Sequence, residues 1–159
     1  PLAYYATYFT LRCDGYDIKT MMKGMEASFK KRNEILTRVQ NHEPVSNPEL
    51  ATINALESTV EMYDRGYSFA PLNVMTSQAT QFSIDEKKNQ VIPALTSING
   101  LGESVALQII KARNEHPFTS VNDLMERAHV GQTMIEKLRS VNALDGLPDD
   151  DQMTLFDML

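Results

Sequence analysis

The feature that most restricts the fold of this chain is a pair of glycines around one apolar residue, Gly100-Leu101-Gly102, directly before a helical pattern. Glycine adopts backbone conformations that other residues avoid, and it lets an external group come close to the backbone. Leu101 is expected to plug into the core and anchor a tight turn. The free amides of the turn and of the next helix point outward, where the helix dipole favours an anion. The pattern predicts two helices joined by a hairpin turn, with an anion site made of backbone amides.

A phosphate group is the anion expected at this turn, and contacts of this kind read no base identity. Ala106 is small at the point where the two helices are expected to cross. A simpler interpretation, in which the glycines only make a tight turn between helices, stays open. The residues predicted to contact phosphate are Gly100, Leu101, Gly102, Glu103 and Ser104, with Lys111 and Arg113 as supporting basic residues.

A weaker copy of the pattern follows. Its helix start lies between Phe118 and Leu124, with Ser120 or Asn122 as the candidate cap, and its turn keeps a single glycine, Gly131. Thr133 and Lys137 lie just beyond that turn and are predicted as further phosphate contacts. The alternative is that the second copy only packs against the first and touches no ligand.

The first half of the chain is predicted to be helical. Apolar residues at helical spacing indicate one helix from Asp17, as its cap, to about Val39. A second helix is expected to start at Asn47 and to end at Gly66.

The pattern changes between the two helical regions. Residues 81–84 alternate polar and apolar, and residues 90–92 can return as a second strand. The predicted fold class is therefore mainly α with a small β-hairpin.

The chain opens at Pro1 with a run of aromatic residues, Tyr4, Tyr5, Tyr8 and Phe9. A native N-terminus is usually polar and loosely held. The opening run therefore indicates a piece of a longer chain, and we expect residues 1–12 to be poorly packed on their own.

The composition excludes several classes of protein. The single Cys13 cannot form an internal disulfide and suits a reducing compartment. No run approaches the roughly 18 apolar residues of a membrane span, and no signal peptide is visible. His42, His116 and His129 have no metal-ligand spacing with the cysteine. We predict no metal site, no membrane contact and a cytoplasmic location.

The net charge of -6, from 15 basic and 21 acidic residues, argues at face value against a partner as negative as DNA. Its distribution changes that inference. Residues 149–159 hold four of the acids and no base, so the rest of the chain has 15 bases against 17 acids. An amide-lined phosphate site needs local geometry more than net charge.

The acidic tail ends in a short string, Gln152-Met153-Thr154-Leu155-Phe156. An exposed Leu-Phe pair on a solvated tail is costly unless it docks on something. The glutamine amide can make oriented hydrogen bonds while Met153, Leu155 and Phe156 fill an apolar groove. The alternative is that the pair folds back onto this chain's own core.

These motifs carry a family resemblance. The glycine turn, with Ala106 and Ile109 beyond it, resembles the helix-hairpin-helix DNA-binding motif, and the tail string resembles the pentapeptide with which bacterial replication proteins bind the sliding clamp. Together with residues 1–9 and 65–69, they resemble the C-terminal end of the PolC-type alpha subunit of bacterial DNA polymerase III.

The resemblance implies three regions: residues 1–66 as the end of the polymerase fingers, 67–148 as a tandem helix-hairpin-helix domain that binds product duplex, and 149–159 as a clamp-binding tail. It implies a DNA-directed DNA polymerase as the parent protein. The catalytic carboxylates and their magnesium ions would then lie in a palm domain before Pro1. This chain is therefore expected to be catalytically inert and to hold no cofactor of its own. Its expected partners are primer-template duplex DNA, the sliding clamp and the remainder of the polymerase.

Two other functions stay open. One is a DNA-repair or DNA-uptake module with the same motif, although a glycosylase would need an aspartate just past the hairpin, where residues 114–117 supply none. The other is a protein-interaction module whose hairpins never meet DNA. Binding to duplex DNA discriminates between a DNA-binding function and a purely protein-binding one.

Overall fold

The computed structural model describes residues 1–150, which form two compact units. Unit 1 comprises residues 1–71 and 81–93, and unit 2 comprises residues 72–80 and, of the described chain, residues 94–150. The β-hairpin therefore belongs to unit 1. The functional limits predicted at residues 66 and 148 stay a prediction, because these units are defined by packing alone.

Unit 1 starts with helices that are separated by defined breaks. Asp17 caps the second of them as predicted, since its carboxylate accepts hydrogen bonds from the Thr20 amide (3.3 Å) and hydroxyl (2.8 Å). Gly24 then adopts a φ of +114° and separates two helices. The prediction of one helix from Asp17 to Val39 is therefore wrong. The helices are α1 (Leu2–Arg12), α2 (Ile18–Lys23), α3 (Met25–Gln40), α4 (Asn47–Ala51) and α5 (Ile53–Asp64).

The prediction of one helix from Asn47 to Gly66 is wrong, because the structure divides this segment at Thr52 into α4 and α5. Ser46, rather than Asn47, caps α4 and accepts the Glu49 amide at 3.3 Å. The predicted stop at Gly66 is confirmed: its φ is +91°, and its amide donates to the Tyr63 carbonyl at 3.0 Å.

Helix α1 is part of the core of unit 1. Tyr5 and Phe9 are fully buried, and the Phe9 ring stacks on Phe82 at 5.2 Å between centroids. The Tyr5 hydroxyl donates to Glu61 at 2.9 Å. The expectation that residues 1–12 are poorly packed is therefore wrong, because half of this aromatic run fills the core.

A small sheet completes unit 1. The predicted hairpin is confirmed as β2 (Ser83–Asp85) antiparallel to β3 (Gln90–Ile92). A further strand, β1 (Ser68–Phe69), pairs parallel with β3, with Phe69 opposite Val91. Sequence reasoning missed β1 because two residues are too few to show alternation.

Unit 2 is helical. A one-turn 3-10 helix (Leu95–Ser97) precedes α6 (Glu103–Glu115), α7 (Val121–Ala128) and α8 (Gln132–Ser140). Ile109, Leu124, Ile135 and Leu138 are almost completely buried and form much of its core. The predicted fold class, mainly α with a small sheet and a tandem hairpin domain, is confirmed. Within residues 1–150, no helix has both the length and the apolarity that a membrane span requires.

Candidate nucleic-acid interface

The first hairpin turn has the geometry that its two glycines predict. Gly100 lies at a φ of +84°, in the left-handed region that other residues rarely adopt. Leu101 is only 3% exposed and plugs into the core, as predicted. Its amide donates to the Ile98 carbonyl at 3.1 Å and closes the turn. That amide is consequently not available to a ligand, although the side chain still fixes the turn.

The start of α6 presents unused donors. Gly102 is its N-terminal cap with extended backbone (φ −82°, ψ 170°), and no side chain caps the helix. The Gly102 carbonyl accepts the Ala106 amide at 3.0 Å. Within the described part of the chain, the amides of Gly102, Glu103 and Ser104 donate to no protein acceptor, and all three residues are exposed. These amides and the positive end of the helix dipole can hold one oxygen-rich anion.

Lys137 brings a positive charge to this turn. It projects from α8, in the second hairpin, and its ammonium lies over Gly100: a Cβ at Gly100 would collide with Nζ and lie 3.2 Å from Cε. Lys137 was predicted as a supporting residue of the second hairpin. The structure places it instead over Gly100 in the first turn, two residues before the cap of α6.

The second turn repeats the geometry of the first with different residues. His129 takes the left-handed position (φ +57°) that Gly100 holds in the first copy, and Val130 is the buried plug at 7% exposed. Gly131 caps α8 with φ −92° and ψ 177°, close to the values at Gly102. Thr133 lies exposed in the first turn of α8. Sequence reasoning missed His129 because it looked for a second glycine.

Lys111 and Arg113 occupy different surroundings. Lys111 is exposed on α6, about 12 Å along the helix from Glu103, so it can meet only a different phosphate. Arg113 is half-buried, and its Nη1 donates to the carbonyls of Val74 (3.0 Å) and Ser77 (2.7 Å). Burial lowers the pKa of this guanidinium below its usual range. The Arg113 side chain therefore holds the segment 72–80 in unit 2 and is not directed to the free amides.

The connection between the hairpins is fixed by Arg127. Its guanidinium donates to Asp123 (2.9 Å), to the carbonyls of Ala112 and His116, and lies 5.1 Å from the centre of the Phe118 ring. Burial alone would raise the pKa of Asp123, but the Thr119 amide and Arg127 outweigh it and hold that pKa below its usual range.

The start of α7 is capped by the preceding Ser120 and by two carbonyls from the end of unit 2. Of the two candidate caps, Ser120 is confirmed, since its hydroxyl accepts the Asp123 amide at 2.9 Å, and Asn122 lies inside the helix. The amides of Val121 and Asn122 donate to the carbonyls of Pro148 (2.8 Å) and Asp149 (3.1 Å). The donors at this helix start are thus occupied, in contrast to those of α6.

Two other predictions concern metals and the tail. Within residues 1–150, no group of three His, Cys, Asp or Glu side chains lies close enough together to hold a metal ion. The predicted clamp-binding residues, Gln152, Met153, Thr154, Leu155 and Phe156, lie outside the described residues.

Two turns of matching geometry, each with a buried apolar plug and a glycine cap before a helix, define a tandem helix-hairpin-helix protein. A family model described as "Helix-hairpin-helix motif" matches residues 66–153, more than half of the chain. The chain belongs to this helix-hairpin-helix family.

Comparison with curated proteins confirms the resemblance to a particular polymerase class over the whole chain. Relatives named "DNA polymerase III PolC-type" are 40% identical in Streptococcus pneumoniae, over all of this chain and 11% of the relative. The relative from Bacillus subtilis is 42% identical over 98% of this chain and 10% of its own length. The relative from Ureaplasma parvum is 38% identical over 98% and 11%. The chain thus spans about a tenth of the length of the curated relatives it matches.

Proposed function

We propose that this chain is the duplex-binding and clamp-tethering part of a PolC-type DNA polymerase III, a DNA-directed DNA polymerase of bacterial replication that works in the cytoplasm. The observation that carries the DNA-binding part is the set of free amides at Gly102, Glu103 and Ser104 beside a left-handed Gly100. The relatives favour replication over DNA repair, DNA uptake or a purely protein-binding role.

The proposed site holds one phosphate of the DNA backbone. The exposed amides at the start of α6 donate to its oxygens, the helix dipole favours its charge, and Lys137 adds an ammonium above the turn. None of these groups reads a base edge, so binding is independent of sequence. Lys111 and Thr133 are proposed to meet neighbouring phosphates, whereas Arg113 is left out because its guanidinium is committed to two carbonyls.

The polymerase chemistry of the proposed parent would use magnesium ions held by carboxylates. The described residues offer no such cluster, so they do not fit this group, and we assign no catalytic step to this chain.

The first experiment measures binding of the full 159-residue chain to labelled duplex DNA over a series of salt concentrations. We expect equal affinity for unrelated sequences and a linear fall of the logarithm of the binding constant with that of salt. A folded chain that fails to bind primed duplex at low salt contradicts the proposal.

A matched pair of glycine substitutions locates the site. Gly102 and Gly131 are both helix caps with extended backbone, and a Cβ at either would meet no atom within 4 Å. Gly102→Ala and Gly131→Ala therefore carry a similar small cost in cap preference. We expect Gly102→Ala to weaken duplex binding about tenfold, because the added methyl group keeps the phosphate from approaching the amides closely and weakens a charge-assisted hydrogen bond. Gly131→Ala is expected to have a smaller effect, since Lys137 lies over the first turn. An unchanged affinity in Gly102→Ala removes the assignment of this turn.

The tether is tested at the tail. We expect the double change of Leu155 and Phe156 to alanine to abolish binding to a bacterial sliding clamp, because both apolar anchors are lost. The matched control changes Met158 and Leu159, outside the pentapeptide, to alanine. Clamp binding that survives the first double change, or that is lost equally in the control, removes the clamp assignment while leaving the duplex site untouched.

A further inference from the structure

A groove of about 270 Å³ lies between α3 and α5 in unit 1, far along the sequence from the hairpin turns. Its apolar part consists of Met25 and Phe29 from α3 and Val60 from α5. Phe29 is 52% exposed and Met25 is 43% exposed. Phenylalanine and methionine are usually buried, so this pair is an apolar surface with no partner among the described residues of unit 1.

The groove is open because the two helices bury other faces. Helix α3 buries Ser28 and Ile35, and α5 buries Leu56, Thr59 and Met62. Met25 and Phe29 are four residues apart and therefore share one side of α3. A methionine beside an aromatic ring makes an adaptable surface, because its side chain is flexible and polarizable.

The rim of the groove is acidic. Three carboxylates line it, from Glu57, Glu61 and Asp64, and the one basic residue that lines it is Arg32. Arg32 pairs with Glu57 at 2.9 Å, and Glu61 accepts the Tyr5 hydroxyl and lies 3.3 Å from Arg65. The Asp64 carboxylate makes no hydrogen bond or ion pair within residues 1–150, and it lies on the same side of α5 as Val60.

We propose that this groove binds an amphipathic helix of a partner protein, whose apolar side chains cover Phe29 and Met25 and whose lysine or arginine pairs with Asp64. Helices commonly bind in this way, with an apolar face in a groove and charged residues at its edge. The charge at the rim selects this occupant. Nucleic acid would bring phosphates to an unpaired carboxylate, and a second copy of this chain in a symmetric contact would bring acid to acid. This proposal does not depend on the DNA-binding site.

The probe for the test is a fluorescent amphipathic peptide built only from leucine and lysine at helical spacing. The comparison peptide has glutamate in place of every lysine. Binding of each to the full 159-residue chain is measured by fluorescence anisotropy. We expect the leucine–lysine peptide to bind and the leucine–glutamate peptide to bind at least tenfold more weakly.

Matched variants separate the groove from general attraction between a basic peptide and an acidic protein. We expect Phe29→Ala to weaken the leucine–lysine peptide at least tenfold, as loss of a central anchor does. Leu11→Ala, at an apolar residue that is 73% exposed and outside the groove, is expected to leave binding unchanged. Asp64→Lys is expected to weaken the lysine peptide and strengthen the glutamate peptide, whereas Asp14→Lys, at an exposed acid elsewhere in unit 1, does neither.

Several results overturn the proposal. They are no binding of the leucine–lysine peptide, equal losses in Phe29→Ala and Leu11→Ala, or equal effects of the two charge reversals. Self-association of the chain that Phe29→Ala abolishes would assign the groove to a second copy and would also overturn it. Circular dichroism of each variant tests whether the fold is retained. We expect Phe29→Ala to keep the fold, because Phe29 is half exposed.

Discussion

Gly100 shows how much a single residue determines at the first hairpin. We predict that Gly100→Ala destabilises unit 2 by about 1–2 kcal/mol, because an L-residue is strained at a φ of +84°. The added methyl group would also collide with the Lys137 ammonium. Urea unfolding, followed by circular dichroism, measures the loss. Gly102→Ala is expected to cost less, since it carries only the cap preference.

A double variant separates the two causes. Lys137→Ala removes the collision but leaves the backbone strain, so in the Gly100→Ala background it is expected to recover only part of the lost stability. Full recovery would mean that the backbone of Gly100 is not strained. No recovery would mean that the lysine moves aside at no cost.

Individual residues also show which structural roles can be predicted from the sequence and which cannot. Leu101 as a plug and Ser120 as a cap were predictable, because each role depends on neighbours within a few positions of the sequence. The contacts of the Lys137 and Arg113 side chains were not predictable, because a long side chain can reach partners that local spacing does not specify. Lys137 lies over a turn in the other hairpin, and Arg113 reaches a segment more than thirty residues away, at Val74 and Ser77.

At the scale of elements, the connection from α6 to α7 depends on the forked guanidinium of Arg127. We predict that Arg127→Lys destabilises unit 2 by about 1–3 kcal/mol, because one ammonium cannot replace bonds to Asp123 and to two carbonyls. The measurement is the urea midpoint.

The control for this prediction is the same substitution at Arg139. That side chain is 48% exposed and pairs with Asp149, which is 63% exposed. An exposed ion pair is worth less than about 1 kcal/mol, so Arg139→Lys is expected to change the midpoint little. Equal losses in the two variants would contradict the structural role assigned to Arg127.

Element boundaries were predictable where a cap or glycine stop acts locally, as at Asp17 and Gly66. The division between α2 and α3 was missed because the apolar spacing continues through Gly24, whose φ of +114° no periodic pattern reveals. The parallel strand β1 was missed for a different reason. Its pairing with β3 joins residues about twenty positions apart, and no local signal marks that contact.

At the scale of the whole molecule, the two units differ in the groups that titrate at high pH. The chain has no tryptophan, and its six tyrosines and single cysteine all belong to unit 1. Burial, assisted by the bond to Glu61, raises the pKa of Tyr5 from 10 to about 12. Burial, with the nearby Cys13 and Asp14, raises the pKa of Tyr16 to about 12. Burial, with Asp14 beside it, raises the pKa of Cys13 to about 12.

We predict that unit 1 loses stability as the pH rises from about 9 towards 12. An unfolded chain releases these protons near their ordinary pKa values, about 8.5 for cysteine and 10 for tyrosine. The folded unit retains them to about pH 12. The folded state therefore binds more protons in this window, and its free energy of unfolding falls as pH rises.

Tyrosine fluorescence, which reports on unit 1 alone, is expected to give a lower urea midpoint at pH 10.5 than at pH 8. Replacing Tyr16 by phenylalanine removes one of the three groups and should flatten this dependence. A midpoint that does not change with pH would show that these side chains ionise as readily in the folded unit as in the unfolded chain. An equally steep fall in Tyr16→Phe would show the same for Tyr16 alone.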